Sequence, residues 1–149
     1  MQLPRLVLLL ALLPPLHLGA TPQSHSPDDF IWIEGETPTQ TNIKPHPWYS
    51  NQVNKTELSG HDFLAHFGSE PGTATYTFSA PAAGDYHFWV RANPLGNGLS
   101  YQLNDGKPTP INMTRHQTGN LNLAADNAPD LRFIAWANVG LVPLRAGEN

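Results

Sequence analysis

The chain reads Gly84-Asp85-Tyr86-His87-Phe88-Trp89-Val90-Arg91-Ala92-Asn93 in its middle, and this stretch decides the fold class. Successive side chains of a β-strand point to opposite faces, so an extended stretch carries two sets of side chains. The inward set is Tyr86, Phe88 and Val90, and the outward set is His87, Trp89 and Arg91. Alternation with a period of two predicts a half-buried antiparallel strand over residues 86–91.

The segment before this strand repeats the pattern. Residues 73–78 alternate, with Ala74, Tyr76 and Phe78 on one face and threonines on the other. Residues 81–85, between the two runs, are turn-forming because they contain proline, glycine and aspartate. We therefore predict that the two strands pair as a hairpin.

Further short strands are predicted elsewhere in the chain. Residues 104–107, Asn-Asp-Gly-Lys, are a strong hairpin turn because Asp-Gly suits positive φ. Pro143 lacks an amide proton, which predicts a sheet edge or a bulge at its position. Short strands with regularly spaced turns predict an all-β fold, an antiparallel sandwich or a barrel. The remaining predicted strands are residues 30–33, 63–67, 99–103, 131–136 and 139–144.

The first 20 residues have the pattern of a secretory signal peptide. Arg5 supplies the positive charge, residues 6–13 are apolar, and Ala20 is the small residue at a cleavage site. The apolar run is shorter than the roughly 20 residues that span a bilayer, so we expect cleavage, with an uncleaved anchor as the alternative. Residues 21–29 then form a disordered leader and residues 30–149 form one domain. The expected location is secreted or periplasmic.

The composition argues against several classes of function. The chain of 149 residues has no cysteine, which excludes disulfides, a thiolate metal site and a lipid anchor on cysteine. A net charge of −4 with 13% charged residues provides no basic face for nucleic acid. No basic amphipathic stretch suits a membrane surface, so neither nucleic acid nor membrane is an expected partner.

The end of the sequence reads as a strand that runs into a turn. Residues 144–149 are Leu-Arg-Ala-Gly-Glu-Asn, and no strand follows them. Proteins normally cover an open sheet edge, so we predict a C-terminally truncated sandwich whose last strand belongs to a longer parent. A natural C-terminus with an exposed edge is the alternative.

Three pieces of the sequence carry a family resemblance. They are Ile33-Glu34-Gly35-Glu36, the stretch from Gly84 to Asn93, and Trp136 followed by Val139-Gly140-Leu141-Val142-Pro143-Leu144-Arg145-Ala146-Gly147. In this order they resemble the carbohydrate-binding modules of families 6, 35 and 36, which are galactose-binding-domain-like. The resemblance spans about residues 30–149. It implies a jelly-roll β-sandwich and a downstream domain, in a parent that we expect to be a glycoside hydrolase or lyase.

Glu34 and Glu36 are the candidate metal ligands. Two residues apart on a strand, they would share one face, where two carboxylates either repel each other or share a cation. Ca²⁺ takes six to eight oxygen ligands, so two glutamates with backbone carbonyls suit it. The resemblance implies a structural Ca²⁺ here, closed by an acidic residue of the missing strand. The alternative is a pair of solvated glutamates at a strand end.

Aromatic and amide side chains are the candidate sugar ligands. The apolar face of a sugar ring stacks on a flat aromatic side chain, and its polar rim takes hydrogen bonds. The resemblance implies Trp136 and Asn93 as contacts. We add Trp48 and Tyr49, because they lie in a Pro-rich stretch that predicts a loop, where binding residues collect.

The sequence is therefore compatible with two functions. The leading hypothesis is a non-catalytic module that binds poly- or oligosaccharide by aromatic stacking. The alternative is a structural β-sandwich that docks through exposed tryptophans on a neighbouring domain or a surface protein. For Trp32 we prefer a role in covering the core, and for Trp89 both interpretations stay open.

Catalysis by this chain itself is not expected. Glycoside hydrolysis needs two carboxyl groups roughly 5–9.5 Å apart across the sugar, which neighbouring acids on one strand do not provide. His61 and His66 would face opposite sides of a strand, so their spacing does not support a zinc site. No pair stands out among the acids beside turns, which are Asp62, Glu70, Asp85 and Asp130.

Overall fold

The computed structural model describes residues 30–44, 50–95 and 98–149. Within them the regular structure is almost entirely β-strand, with a short 3₁₀ helix at Lys55–Glu57, which confirms the all-β prediction. The predicted signal peptide and leader, at residues 1–29, lie outside the described residues. The strands are β1 Gln40–Thr41, β2 Ala74–Thr75, β3 Ser79–Ala80, β4 Gly84–Ala92, β5 Ser100–Tyr101, β6 Thr109–Pro110, β7 Gln117–Asn122, β8 Phe133–Leu144 and β9 Gly147–Glu148.

The longest strands form a three-stranded sheet in the order β4-β8-β7. The other strands form the pairs β1 with β2, β3 with β9 and β5 with β6. Every one of these pairings is antiparallel, as predicted. The finer prediction of a jelly-roll sandwich stays a prediction. In the described ranges no helix has the length and hydrophobicity to span a lipid bilayer.

β4 shows the alternation that its sequence predicts. Tyr86, Phe88 and Val90 are half-buried, whereas His87 and Trp89 are exposed. β4 pairs with β8 over its whole length. This pairing places the inward set of β4 beside the buried positions of β8, because directly opposed residues share a face.

β8 is one continuous strand where the sequence predicted two. A β-bulge joins them, since Trp89 lies opposite Asn138 and Phe88 lies opposite Gly140, which leaves Val139 without a cross-strand partner. Gly140 has a φ of +123°, a conformation that favours glycine. The Gly140 amide donates a hydrogen bond to Asn138 Oδ1 at 3.0 Å, which stabilises the bulge.

The bulge keeps one face of β8 buried along the whole strand. Ala135 and Ala137 are buried before the bulge, and Val142 and Leu144 are buried after it. Buried positions change from odd to even numbers because one extra residue shifts the alternation by one. Val142 and Leu144 form the core cluster with Ala80 of β3. The half-buried side chains packed on this cluster are Ile31, Phe78, Tyr86, Phe88, Tyr101 and Leu103.

The predicted hairpin between residues 73–78 and 86–91 is wrong. β2 pairs with β1 and β3 pairs with β9, whereas β4 pairs with β8. Alternation predicts which side chains face the core, but it does not select the partner strand. Residues 81–83 do form an exposed bend, and the Tyr86 hydroxyl donates a hydrogen bond back to the Ala82 carbonyl at 3.0 Å.

The predicted strands at residues 30–33 and 63–67 are also wrong. Neither segment is part of a strand ladder. In the first segment Ile31 packs on the core cluster while Trp32 is exposed. Its apolar residues therefore serve packing without the backbone pairing that defines a strand.

Two predictions about turns and edges are confirmed. β5 and β6 pair across the turn predicted at residues 104–107, where Asn104 has a φ of +50°. Pro143 lies beyond the reach of β7, which pairs only with β8 residues 133–137. At Pro143 the described structure gives β8 a single neighbour, β4, as expected of an edge position.

β7 was not predicted. Its sequence, QTGNLN, contains glycine and asparagine, which strands disfavour, and its pairing with β8 is interrupted between Thr118 and Leu121. Tertiary pairing with β8 overrides this weak local preference.

The residues after β8 turn back and pair within the chain. β9 pairs with β3, and the backbones of Asn149 and Phe78 exchange hydrogen bonds of 2.9 and 3.2 Å. The Asn149 side chain also accepts a hydrogen bond from the Arg145 amide and donates one to its carbonyl. The segment after residue 144, which was expected to leave an open edge, therefore pairs with β3 through β9. A further strand in a longer parent stays a prediction.

Candidate ligand-binding site

Trp136, one of the predicted sugar contacts, forms an aromatic pair with Trp32. Their ring centroids are 5.9 Å apart and their planes make an angle of 65°, an edge-to-face geometry that stabilises aromatic pairs. Trp136 is half-buried, whereas Trp32 is 52% exposed. The preferred assignment of Trp32 to the core is therefore wrong, and its ring lies at the surface beside the predicted contact.

The three-stranded sheet holds Trp136 in place. Trp136 lies in β8 opposite Arg91 of β4 and Thr118 of β7, and directly opposed residues share a face of the sheet. Gly119 of β7 lies beside the indole, since a Cβ there would come into contact with Trp136 Cδ1 at 3.4 Å. Both neighbouring strands thus shape the surroundings of this ring.

Arg91 stacks on the same indole. Its guanidinium carbon lies 5.6 Å from the centroid of the Trp136 ring, within the range of a cation–π contact. The Arg91 Nε is shielded from solvent and has no hydrogen-bond partner. Among the described residues, the half-buried Lys55 and Arg132 are instead paired with aspartates at 2.6 to 2.8 Å.

Trp32 also lines a surface groove of about 300 Å³. The groove combines an aromatic wall with polar groups, which is the mixture that a sugar requires. Its polar lining is supplied by Glu34, Thr37, Thr39, Tyr76 and Thr77. The aromatic pair and this groove are the candidate site.

Glu34 orients the exposed indole of this site. The Trp32 Nε1 donates a hydrogen bond to Glu34 Oε1 at 2.7 Å, and the Ser59 hydroxyl donates one to Glu34 Oε2 at 2.8 Å. A hydrogen bond to an ionised acceptor is stronger than one between neutral groups, so the carboxylate fixes the ring plane.

Glu36, two residues after Glu34, packs against Gly60, the residue next to Ser59. A Cβ at Gly60 would fall 1.3 Å from Glu36 Oε1, so the glutamate occupies the space that a side chain would fill. Burial, and then the charge of Glu36, raise the pKa of Tyr76 above its ordinary value. The Tyr76 hydroxyl donates a hydrogen bond to the Gly35 carbonyl at 2.6 Å.

The two glutamates lie around a turn and not on a strand. Residues 35 and 36 form a turn, and the Thr37 amide donates a hydrogen bond to the Glu34 carbonyl at 3.2 Å. The strand alternation that predicted a shared face therefore does not apply. Across the described ranges, no three acidic or histidine side chains are grouped so that they could hold a metal ion.

Asn93, another predicted sugar contact, uses its side chain to hold the chain that follows β4. Asn93 Nδ2 donates a hydrogen bond to the Leu131 carbonyl, and its Oδ1 accepts one from the Leu95 amide at 2.8 Å. These bonds tie the chain after β4 to the residues before β8. Trp48 and Tyr49 lie outside the described residues.

Further apolar side chains share the outward face of the sheet with Trp136. Trp89 is 42% exposed and lies two residues from Arg91 on β4. Leu141 is 59% exposed and lies opposite His87. This outward face is the surface on which the docking alternative depends.

Two of the turn acids are engaged in ion pairs. A hydrogen bond from Lys55 is the largest cause that lowers the pKa of Asp62, and one from Arg132 lowers the pKa of Asp130. Arg132 also reaches Asp126 and the Gln52 carbonyl. These carboxylates thus act within the described structure as partners of cations that fasten loops.

The sequence did contain a signal for Trp32. Ile31 is apolar and packs inward, so strict alternation would have turned Trp32 outward. Its contact with Trp136 joins residues 104 positions apart in the sequence, and no local pattern predicts such a contact. The sequence therefore pointed to Trp136 but not to the partner that completes the site.

No family model matches the chain, and the comparisons with curated proteins and with solved structures find no match either. The likeness to carbohydrate-binding modules therefore rests on the three sequence pieces.

Proposed function

We propose that the chain is a non-catalytic carbohydrate-binding module with a jelly-roll β-sandwich fold, in which Trp32 and Trp136 stack on the sugar. The observation that carries the proposal is the exposed Trp32 ring, oriented by Glu34 and paired with Trp136 beside a groove. An aromatic ring whose plane is already fixed loses little entropy on binding, so its contact area contributes efficiently to affinity.

The threonines of the groove supply hydrogen bonds to the polar rim of the sugar. The Thr37 hydroxyl donates to the Glu34 carbonyl at 3.1 Å, and the Thr39 hydroxyl accepts from the Thr77 amide at 3.0 Å. A hydroxyl donates one hydrogen bond and accepts two, so each retains capacity for a sugar hydroxyl. Trp48, Tyr49 and Asn93 are further proposed contacts, on the basis of the sequence alone.

The proposed biological role is to hold a larger exported protein near polysaccharide. Tethering a weak binding site to a catalytic domain raises the local concentration of substrate without any new catalytic contact. We propose a secreted or periplasmic location because residues 1–20 have a signal-peptide pattern, and a downstream domain of the hydrolase or lyase class because the family resemblance implies one.

The proposed Ca²⁺ site requires residues of a longer parent protein. The described donors are two carboxylates, and both oxygens of Glu34 already accept hydrogen bonds. The Gly35 carbonyl accepts one from Tyr76. This set falls short of the six to eight oxygens that Ca²⁺ takes. We propose that Glu34 and Glu36 hold Ca²⁺ only when another strand adds its acidic residue.

Affinity electrophoresis of the full chain through gels that contain soluble polysaccharides tests the sugar-binding proposal. We expect retardation in at least one polysaccharide, and Trp32→Ala should abolish it because the open stacking surface is lost. Leu131→Ala is the matched control, since Leu131 is 69% exposed and lies outside the pair and the groove. Unretarded migration in every polysaccharide, or equal retardation of wild type and Trp32→Ala, would refute the proposal.

The docking function has one observation in its favour, the exposed apolar pair Trp89 and Leu141 on the outward face of the sheet. Such a surface is commonly covered by a partner protein. One substitution distinguishes the two functions. Leu141→Ala should leave glycan retardation unchanged if sugar binds at Trp32, whereas a docking surface requires Leu141 and no glycan.

A further inference from the structure

The candidate site has an arginine at its edge for which the described residues provide no carboxylate partner. Arg91 lies over the Trp136 ring at 5.6 Å and is half-buried. In the described ranges it forms no salt bridge, and its shielded Nε lacks a hydrogen-bond partner. The remaining cations of these ranges are either paired with aspartates or exposed, which sets Arg91 apart.

We propose that the ligand of this site is an acidic glycan whose uronate carboxylate binds Arg91 while its sugar rings stack on the tryptophan pair. The inference rests on the proposed sugar-binding function and names the class of sugar. Guanidinium and carboxylate match in shape and can form two parallel hydrogen bonds, which are about twice as strong as neutral ones.

The cost of desolvating the Arg91 guanidinium favours an anionic ligand beside it. Withdrawing a guanidinium from water is costly, and the quadrupole of one indole offsets only part of that cost. A carboxylate in the ligand would add an ion pair in a partly desolvated place, where the attraction is weakly screened by salt. A neutral sugar would leave the charge of Arg91 without compensation.

The other charges around the site set the orientation of the ligand. Glu34 is hydrogen bonded to the indole N–H of Trp32, so the groove beside Trp32 repels a second carboxylate. On the outward face of β4, Asp85 and His87 precede Arg91. Asp85 is six residues away, about 20 Å along a strand, too far to neutralise Arg91. The ligand carboxylate therefore lies at the Arg91 end, and neutral hydroxyls lie at the Glu34 end.

Isothermal titration tests this inference with polygalacturonate and alginate as probes, each beside the same polymer with its carboxyl groups reduced. We expect the full chain to bind at least one acidic polymer about tenfold or more tightly than its reduced form, since a charged hydrogen bond of this kind corresponds to that factor. The preference should shrink as sodium chloride is raised, because salt screens the ion pair.

Variants assign the preference to Arg91. Arg91→Gln should bind acidic and reduced polymers equally, and Arg91→Lys should keep part of the preference as a charge without the planar fork. Arg145→Gln, which removes an exposed charge in the turn after β8, should behave as wild type. If Arg91→Gln does not fold, Arg91→Lys and the salt dependence of wild type still test whether Arg91 is the source of the preference.

The outcomes separate this inference from the proposed function. Equal affinity of wild type for acidic and reduced polymers would overturn the acidic ligand and leave sugar binding in place. An acid preference that Arg91→Gln retains would also overturn it. A lack of binding to all four polymers and to the polysaccharides of the electrophoresis panel would overturn both proposals together.

Discussion

Tyr76 shows what a single residue contributes at the edge of the candidate site. Its hydroxyl donates to the Gly35 carbonyl in the turn that carries Glu34 and Glu36, and its ring lines the groove. Removing the hydroxyl leaves the carbonyl without this partner. We expect Tyr76→Phe to lower the free energy of unfolding by about 1 kcal/mol, measured by urea denaturation.

The same residue predicts a loss of stability at alkaline pH. The pKa of Tyr76 is raised above 10.0, first by burial and then by Glu36. A raised folded pKa means that the stabilisation is complete below pH 10.0 and is lost as pH rises through the folded value. Denaturation curves between pH 9 and about pH 11 should show this loss in wild type, and Tyr76→Phe should lack that part of it.

At the residue scale the sequence identified candidate side chains but not the contacts that they make. Trp136 was identified as a binding candidate, and the structure places it at the surface pair. Trp32 was expected to cover the core, whereas it is 52% exposed and its neighbour Ile31 is the residue that packs inward. Asn93 stays a predicted sugar contact, and no local pattern predicts the hydrogen bond of its amide group to the distant Leu131 carbonyl.

The β-bulge in β8 is the element on which the core depends. Gly140 has a φ of +123°, which a residue with a Cβ adopts only under strain. We expect Gly140→Ala to destabilise the fold by about 1–3 kcal/mol in thermal or urea unfolding. Gly84→Ala is the matched control: Gly84 pairs with Leu144, a Cβ there meets no atom within 4 Å, and no positive φ is involved. Equal costs for the two variants would refute the role of the bulge.

At the scale of elements the sequence predicted faces and not partners. The alternation in β4 assigned Tyr86 and Phe88 inward correctly, because side-chain direction is a local property of an extended chain. The hairpin with residues 73–78 failed because the partner of β4 is β8, more than 40 residues away. The two strands predicted around Val139 are one strand, since a bulge interrupts the alternation without ending the ladder.

Across the whole molecule, loops are fastened by ion pairs that respond to acid. Lys55 lowers the pKa of Asp62 and Arg132 lowers that of Asp130, both below 3.8. A lowered folded pKa means that the stabilisation is present above 3.8 and is lost as pH falls through the folded value. Unfolding curves from pH 5 to about pH 2 should show this loss, and Asp62→Asn should remove part of it.

A variant that deletes the cation instead of the carboxylate checks the cause. Lys55→Met leaves Asp62 in place without its partner at 2.8 Å, so it should reduce the acid-dependent loss, because the hydrogen bond from Lys55 is the largest cause of the lowered pKa. If Lys55→Met keeps the full acid dependence of wild type, the pair is not its source.

The proposed sugar-binding function requires that glycan stacks on Trp32 and Trp136. The chain has four tryptophans, so a ¹H–¹⁵N spectrum of the full chain contains four indole N–H signals that substitution can assign. Titration with the polysaccharide that retards the chain most is the direct test. We expect the indole signals of Trp32 and Trp136 to shift and saturate together, with a smaller change at Trp89. Saturable binding that leaves the Trp32 and Trp136 signals in place would contradict the proposed stacking on these two rings.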